Sequence, residues 1–136
     1  MTIRTYRVVS FFLAAAFGVV GLAFLFLSSD VLALFNEVAA AAEFERTGTH
    51  GHQFFVILSV AYMYVVTLLA SLMYLRPENV TYPRLLINAK AASSILSFLV
   101  FFLAAPVFIC LVNGIIDGLI AVLVITMYRG VRRALQ

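Results

Sequence analysis

Residues 81–136 read TYPRLLINAKAASSILSFLVFFLAAPVFICLVNGIIDGLIAVLVITMYRGVRRALQ, and this stretch decides the fold. It holds two apolar runs, each close to the ~20 residues that a helix needs to cross a bilayer. These runs carry the ionisable residues that lie well inside apolar sequence, Lys90 and Asp117. We therefore predict two membrane-spanning helices here.

The boundary between these two spans depends on Pro106. A turn at residues 104–105 gives spans of about 83–104 and 106–128, with Pro106 in the first turn of the second helix, where proline is tolerated. If the earlier span continued through Pro106 to Val112, only residues 115–128 would remain for the next helix, which is short for a crossing. The sequence favours the first division.

The composition extends this interpretation to the whole chain. Of the 136 residues, 65% are hydrophobic and 11% are charged, and the mean hydropathy is +1.12; soluble domains are about 25% charged. Two further apolar runs give spans of about 6–27 and 54–75. The first is too long for a signal-peptide core of about 7–15 residues. We predict an all-α integral membrane protein, with four transmembrane helices in an up-down bundle that forms one domain over residues 1–136.

The connection between the first two spans, residues 28–53, is long and polar. Ser29 or Asp30 can cap a helix there, apolar residues follow at helical spacing, and Gly48 can end it. We predict a short amphipathic helix over about residues 30–46, which lies at the membrane surface between spans one and two.

The arginines indicate an orientation. Seven of them fall at one side of the predicted membrane, and Arg46 falls at the other; the seven are Arg4, Arg7, Arg76, Arg84, Arg129, Arg132 and Arg133. Positive residues accumulate in cytoplasmic connections. The sequence therefore predicts a multi-pass protein of the plasma (inner) membrane with both termini in the cytoplasm.

A polar cluster is predicted inside the last two spans. Asp117 lies 11 residues before Tyr128, which is ~16 Å along a helix, and Lys90 lies ~10 Å from the same side of the membrane. A lysine side chain can cover the remaining ~6 Å of depth. Asn113 lies one helical turn from Asp117, and the hydroxyls of Ser94 and Tyr62 are further hydrogen-bonding candidates.

Three interpretations of this cluster follow from the sequence. Lys90 can extend its ammonium to the membrane surface, which the sequence favours. It can instead pair with Asp117 and hold two helices in register. Asp117 can also belong to an ion or proton site, because intramembrane carboxylates often do. In each case we expect Asp117 to face the bundle or a subunit interface, with a hydrogen-bond donor within reach.

Small residues indicate where helices approach closely. Gly18 and Gly21 lie in the first span, and Gly114 and Gly118 form a GxxxG pattern in the fourth. Helices in lipid pack over such residues. We interpret these four glycines as helix-packing positions.

Metal binding has little support in the sequence. His50 and His52 are zinc-type ligands, but no third ligand is defined, so solvated loop histidines are favoured over a metal site. A single cysteine, Cys110, excludes a cysteine-pair metal site and an internal disulfide.

The sequence shows no catalytic signature. No Ser/His/Asp set, phosphate-binding loop or HExxH motif is present, so we expect no catalytic residues and no cofactor. The basic residues form no aromatic-lined groove for nucleic acid. We expect a non-enzymatic membrane subunit or assembly factor, in contact with lipids and with other membrane subunits or itself. The alternative is an oligomeric ion or proton channel or carrier that uses Asp117, Asn113 and Lys90.

Overall fold

The computed structural model describes residues 2–44, 52–104 and 106–134, apart from the side chains of residues 52–54 and 134. This part of the chain forms five helices: α1 (Ile3–Phe26), α2 (Ser28–Ala41), α3 (His52–Leu75), α4 (Thr81–Leu103) and α5 (Phe108–Ala134). All except α2 are long and apolar enough to cross a membrane. The predicted all-helical architecture, with four long helices and one short helix, is confirmed for these residues.

The four long helices form a ring in which each packs against the next in the order α1, α3, α4, α5, and α5 returns to α1. Neighbours in the chain run antiparallel: the Phe11 and Tyr74 rings lie 5.9 Å apart, and the Arg84 guanidinium lies 5.8 Å from the Tyr128 ring. These contacts gather the arginine-bearing helix ends on one side. We call this the arginine end; it carries Arg4, Arg7, Arg76, Arg84, Arg129, Arg132 and Arg133.

The opposite end is built from aromatic rings and α2. The Phe44 ring, just after α2, lies 5.8 Å from Phe101 and 5.7 Å from Phe108. Phe35 of α2 lies 6.4 Å from Phe108. We call this the connector end, because it contains α2 and the turn between α4 and α5.

The apolar core is concentrated toward the arginine end. Its most deeply buried side chains repeat at helical spacing along each helix, which places them on one stripe that faces the bundle axis. They are Tyr6, Val66, Ala70, Met73, Leu86, Val124 and Met127, each at most 2% exposed.

The turn between α4 and α5 falls where the favoured division places it. α4 ends at Leu103 and α5 begins at Phe108. Pro106, however, lies before α5 and not in its first turn, because α5 begins two residues later, at Phe108. At its other end α5 runs to Ala134, beyond the predicted Tyr128, since arginine is a good helix former and the tail continues the helix.

The start of α2 differs from the prediction. Neither Ser29 nor Asp30 caps the helix; the N-cap is Leu27, without a side-chain hydrogen bond. Leu27 bends the chain directly out of α1, since its N–H bonds to Ala23 O while its own carbonyl accepts from Val31 N, both at 2.8 Å. A single residue therefore joins the two helices, and no separate capping residue is needed.

The end of α2 also differs, because the helix stops at Ala41 and not near residue 46. Glu43 adopts a left-handed conformation with φ of 59°, and Phe44 N donates to Ala39 O at 2.8 Å. This is the hydrogen-bond pattern of a Schellman termination. It turns Phe44 back toward Phe101. Gly48, the expected terminator, lies outside the described residues.

Candidate functional site

Lys90 and Asp117 form a buried ion pair between α4 and α5. Lys90 Nζ donates to Asp117 Oδ1 at 2.7 Å, and the two side chains are 3% and 4% exposed. The favoured interpretation, in which Lys90 reaches the membrane surface, is therefore wrong. Because α4 and α5 run antiparallel in direct contact, the carboxylate lies closer to the ammonium than the helix end does.

Two aromatic rings enclose the Lys90 ammonium. Nζ lies 4.7 Å from the centroid of the Phe17 ring and 5.0 Å from that of Tyr62. A cation over a ring face is attracted by the ring's negative surface. Phe17 comes from α1 and Tyr62 from α3, so all four long helices meet at this ammonium. Sequence reasoning missed Phe17, although its spacing of four residues from Leu13 and from Gly21 could have placed it on the buried face.

The predicted hydroxyl partners of Asp117 bond elsewhere. Tyr62 Oη donates to Ala89 O at 3.2 Å, and Ser94 Oγ donates to Gly114 O at 2.7 Å. Each bond ties one helix to the next, α3 to α4 and α4 to α5. Asp117 Oδ2 is buried and has no hydrogen-bond partner among the described residues.

Asn113 lies at the edge of the cluster. Its Nδ2 donates to Ser97 Oγ at 2.8 Å and to Ser93 Oγ at 3.2 Å. Asn113 is exposed, whereas Asp117, one turn later, is buried. The predicted cluster thus divides into a buried ion pair and an outer group made of one amide and two serines.

The four predicted packing glycines all contact a neighbouring helix of the same bundle. A Cβ at Gly21 would lie 3.1 Å from Met63 Cβ, and one at Gly118 would lie 3.0 Å from Ser94 Oγ. A Cβ at Gly114 would lie 3.2 Å from the Phe98 ring, and one at Gly18 would lie 3.9 Å from the Thr67 methyl. These faces are therefore in contact with α3 and α4 of the same chain, and the GxxxG pattern on α5 packs against α4.

The predicted metal ligands, His50 and His52, lie at the border of the described residues. His50 lies outside the described residues, and His52 is the first residue of α3, with its side chain also outside. Among the described residues, no three His, Cys, Asp or Glu side chains lie together as a metal site requires. The Cys110 thiol is free and half-buried.

Comparisons of the chain with protein-family models, with curated proteins and with solved structures find no match. The chemistry of the site must therefore be read from its own residues. An ion pair closed by two rings is electrically neutral and reaches every long helix, which suits it to hold those helices in register.

Proposed function

We propose that this chain is a small, non-enzymatic integral membrane protein that acts as an accessory subunit or assembly factor. In this role it packs against the helices of a larger membrane complex, or against further copies of itself. The four long helices would cross the plasma (inner) membrane, with the arginine end in the cytoplasm.

The proposal rests on one observation: the charges of Lys90 and Asp117 are paired with each other and shielded from the surroundings. The carboxylate satisfies the ammonium, and the rings of Phe17 and Tyr62 cover it. A group that transfers protons to a substrate must reach that substrate within hydrogen-bonding distance, and side chains 3% and 4% exposed do not offer that reach. The pair supports a static role in fixing the bundle.

The outer surface supports the same proposal. Large apolar side chains face outward along the long helices, among them Phe12, Phe26, Phe102 and Leu103, which are 65–80% exposed. Such a surface is suited to lipid and to the helices of a partner membrane protein. The proposed partners are therefore lipids and other membrane subunits, and not nucleic acid.

Native electrophoresis in several mild detergents tests this proposal. We expect the protein to migrate as an assembly that also carries lipid and detergent. The protein mass of this assembly should exceed the 15.0 kDa of one chain. The same sample in a denaturing detergent is the control, because contacts between chains are lost there. Migration as a single 15.0 kDa chain in every mild detergent would count strongly against an accessory subunit.

The unpartnered Asp117 Oδ2 favours a second candidate function, an oligomeric channel or carrier for ions or protons. Asp117, Asn113 and Lys90 would line its path, with several copies needed because four helices are few for a carrier. Flux into liposomes tests it. The absence of flux for protons, alkali cations and halides would eliminate this candidate.

A further inference from the structure

The polar side chains within the apolar part of α4 fall into two groups. Those that face the bundle form hydrogen bonds with α5; they are Lys90, Ser93, Ser94 and Ser97. Asn88 is instead exposed on the outer surface. Its side chain forms no hydrogen bond with any residue that the structure describes. Asn88 is therefore an unpaired amide on a helix whose inward polar groups are paired.

Asn88 belongs to a stripe of α4 that faces away from the bundle. Residues three or four positions apart share one face of a helix. The exposed residues of α4 follow this spacing; they include Leu85, Asn88, Ala92, Ile95 and Leu99. We call these five residues the outer face of α4. Ala92 lies one turn from Asn88, and its small side chain lets another helix come close to the amide.

The depth of Asn88 keeps its amide away from water if α4 crosses a membrane. α4 has 23 residues, which is ~34 Å, and the hydrocarbon core of a bilayer is ~30 Å thick. Asn88 lies two helical turns after Thr81, ~10 Å along the axis from the arginine end. Arg84 has a long side chain that can reach the membrane surface, whereas the short side chain of Asn88 cannot. The outer face of α4 thus presents an amide to acyl chains.

This amide indicates what covers the outer face of α4. Acyl chains offer neither donors nor acceptors, so an unpaired amide among them is costly. A hydrogen bond to another helix removes that cost, and asparagine is among the residues that form such bonds within membranes. The occupant of this face is therefore a helix that presents a hydrogen-bonding group at the depth of Asn88.

We propose that the outer face of α4 binds the same face of a second copy of this chain, so that the two Asn88 amides hydrogen-bond to each other. A primary amide carries both donors and an acceptor, so two of them can pair reciprocally. The arginines give every copy the same orientation. A twofold axis between such copies is perpendicular to the membrane, and each residue near the axis meets its own counterpart at its own depth.

This interface rests on the proposed function, because it specifies one of the two assemblies proposed there. It adds the helix and the residue through which the copies meet. A different protein would need a hydrogen-bonding group placed at the depth of Asn88. A second copy meets this condition by symmetry alone, which is why we commit to it.

Energy transfer between copies tests the interface. Full-length protein, labelled at its amino terminus with a donor or an acceptor fluorophore, is reconstituted into vesicles of phosphatidylethanolamine and phosphatidylglycerol. We expect transfer for the wild type, which falls as the protein is diluted with lipid. Asn88→Leu keeps a similar volume but lacks the amide, so it should weaken association by about tenfold, as expected when interhelical hydrogen bonds are lost.

Two variants control for effects other than loss of the amide pair. Asn88→Gln keeps a primary amide and should associate nearly as well as the wild type. Thr126→Val removes an exposed hydroxyl from α5, but this hydroxyl already donates to Leu123 O at 2.7 Å. Association should therefore be unchanged. An equal loss in Asn88→Leu and Thr126→Val would overturn the proposed amide pair.

Oxidative cross-linking locates the contact. In a Cys110→Ser background, Ala92→Cys lies on the outer face of α4, one turn from Asn88, and would face the same cysteine of the second copy. It should form a disulfide-linked dimer on mild oxidation. Leu119→Cys, 67% exposed on the outer surface of α5, is the matched control and should remain monomeric.

The outcomes separate this interface from the proposed function. Association that Asn88→Leu leaves unchanged, without a cross-link at Ala92→Cys, overturns the α4 interface but leaves self-assembly in place. If the wild type shows no transfer at any dilution, yet migrates in a larger assembly from its native membrane, its partner is another protein and the second copy is excluded. The absence of both transfer and a larger assembly overturns the accessory role as well.

Discussion

Lys90 Nζ lies 2.7 Å from Asp117 Oδ1, although the two residues are 27 positions apart in the chain. The antiparallel packing of α4 and α5 brings them to the same depth. An isolated charge near the centre of a bilayer costs ~2.5–3.5 kcal/mol on insertion scales. Together the two residues form a neutral unit, and the contacts of Phe17 and Tyr62 extend that unit to α1 and α3.

The first prediction concerns the loss of one charge. Asp117→Asn leaves the Lys90 ammonium buried without a counter-charge, and breaking a buried pair from one side costs about 3–5 kcal/mol. We expect a fall of this size in the free energy of unfolding. It can be measured by titrating the protein in mixed micelles with a denaturing detergent.

The double variant Lys90→Met with Asp117→Asn is the control for this prediction. When both charges are removed, no unpaired charge remains buried, so the double variant should be more stable than Asp117→Asn alone. Additive losses would show that the two charges do not stabilise each other. A fully stable Asp117→Asn protein would instead point to an ion or proton site at Asp117.

The second prediction compares two glycines of α1. A methyl group at Gly21 would meet Met63 Cβ at 3.1 Å, whereas one at Gly18 would meet the Thr67 methyl at an ordinary 3.9 Å. Gly21→Ala should therefore destabilise the bundle by ~1–3 kcal/mol, as overpacking does. Gly18→Ala should remain within ~1 kcal/mol of the wild type, since alanine favours helix. The same micellar unfolding assay measures both, and equal effects would contradict the close α1–α3 contact.

Much of the fold could be predicted because a helix that crosses a membrane needs a long apolar run, which is easily seen in the sequence. An apolar run of sufficient length predicts a long helix whatever it packs against, and all four long helices were found in this way. Depth along a helix also follows from residue counting, which placed Lys90 and Asp117 within reach of each other.

Residue counting cannot give the lateral distance between two helices. The choice between a surface-directed lysine and an ion pair depends on how close α4 lies to α5, and no single-helix pattern contains that distance. The same limit hid Phe17, whose contact with Lys90 exists only after α1 and α4 face the same axis. Tyr62 and Ser94 were assigned to Asp117 for their hydroxyls, but backbone carbonyls at Ala89 and Gly114 lay nearer.

The third prediction concerns the C-terminal end of α2, whose position the sequence pattern also did not predict. Glu43 occupies a left-handed conformation, which disfavours any residue with a Cβ by ~1–2 kcal/mol. Glu43→Gly should therefore raise the free energy of unfolding by up to ~1 kcal/mol, because the added freedom of glycine in the unfolded chain offsets part of the gain. Glu37→Gly, inside α2, is the control and should lower the free energy of unfolding by ~1 kcal/mol. Destabilisation by both would mean that Glu43 contributes more through its side chain than its backbone conformation costs.

The last prediction concerns orientation. The arginine end gathers seven arginines, and the connection between α3 and α4, which contains Asn79, lies at that end together with Tyr6 and Arg132. Positive residues remain on the cytoplasmic side during insertion. In a Cys110→Ser background, Asn79→Cys should therefore resist an impermeant maleimide added outside intact cells, whereas Thr49→Cys, in the connection between α2 and α3, should react. Permeabilised cells are the control, since both positions should then be modified. The opposite pattern in intact cells would show that the arginines do not set the orientation, and the proposed cytoplasmic placement of both termini would be reversed.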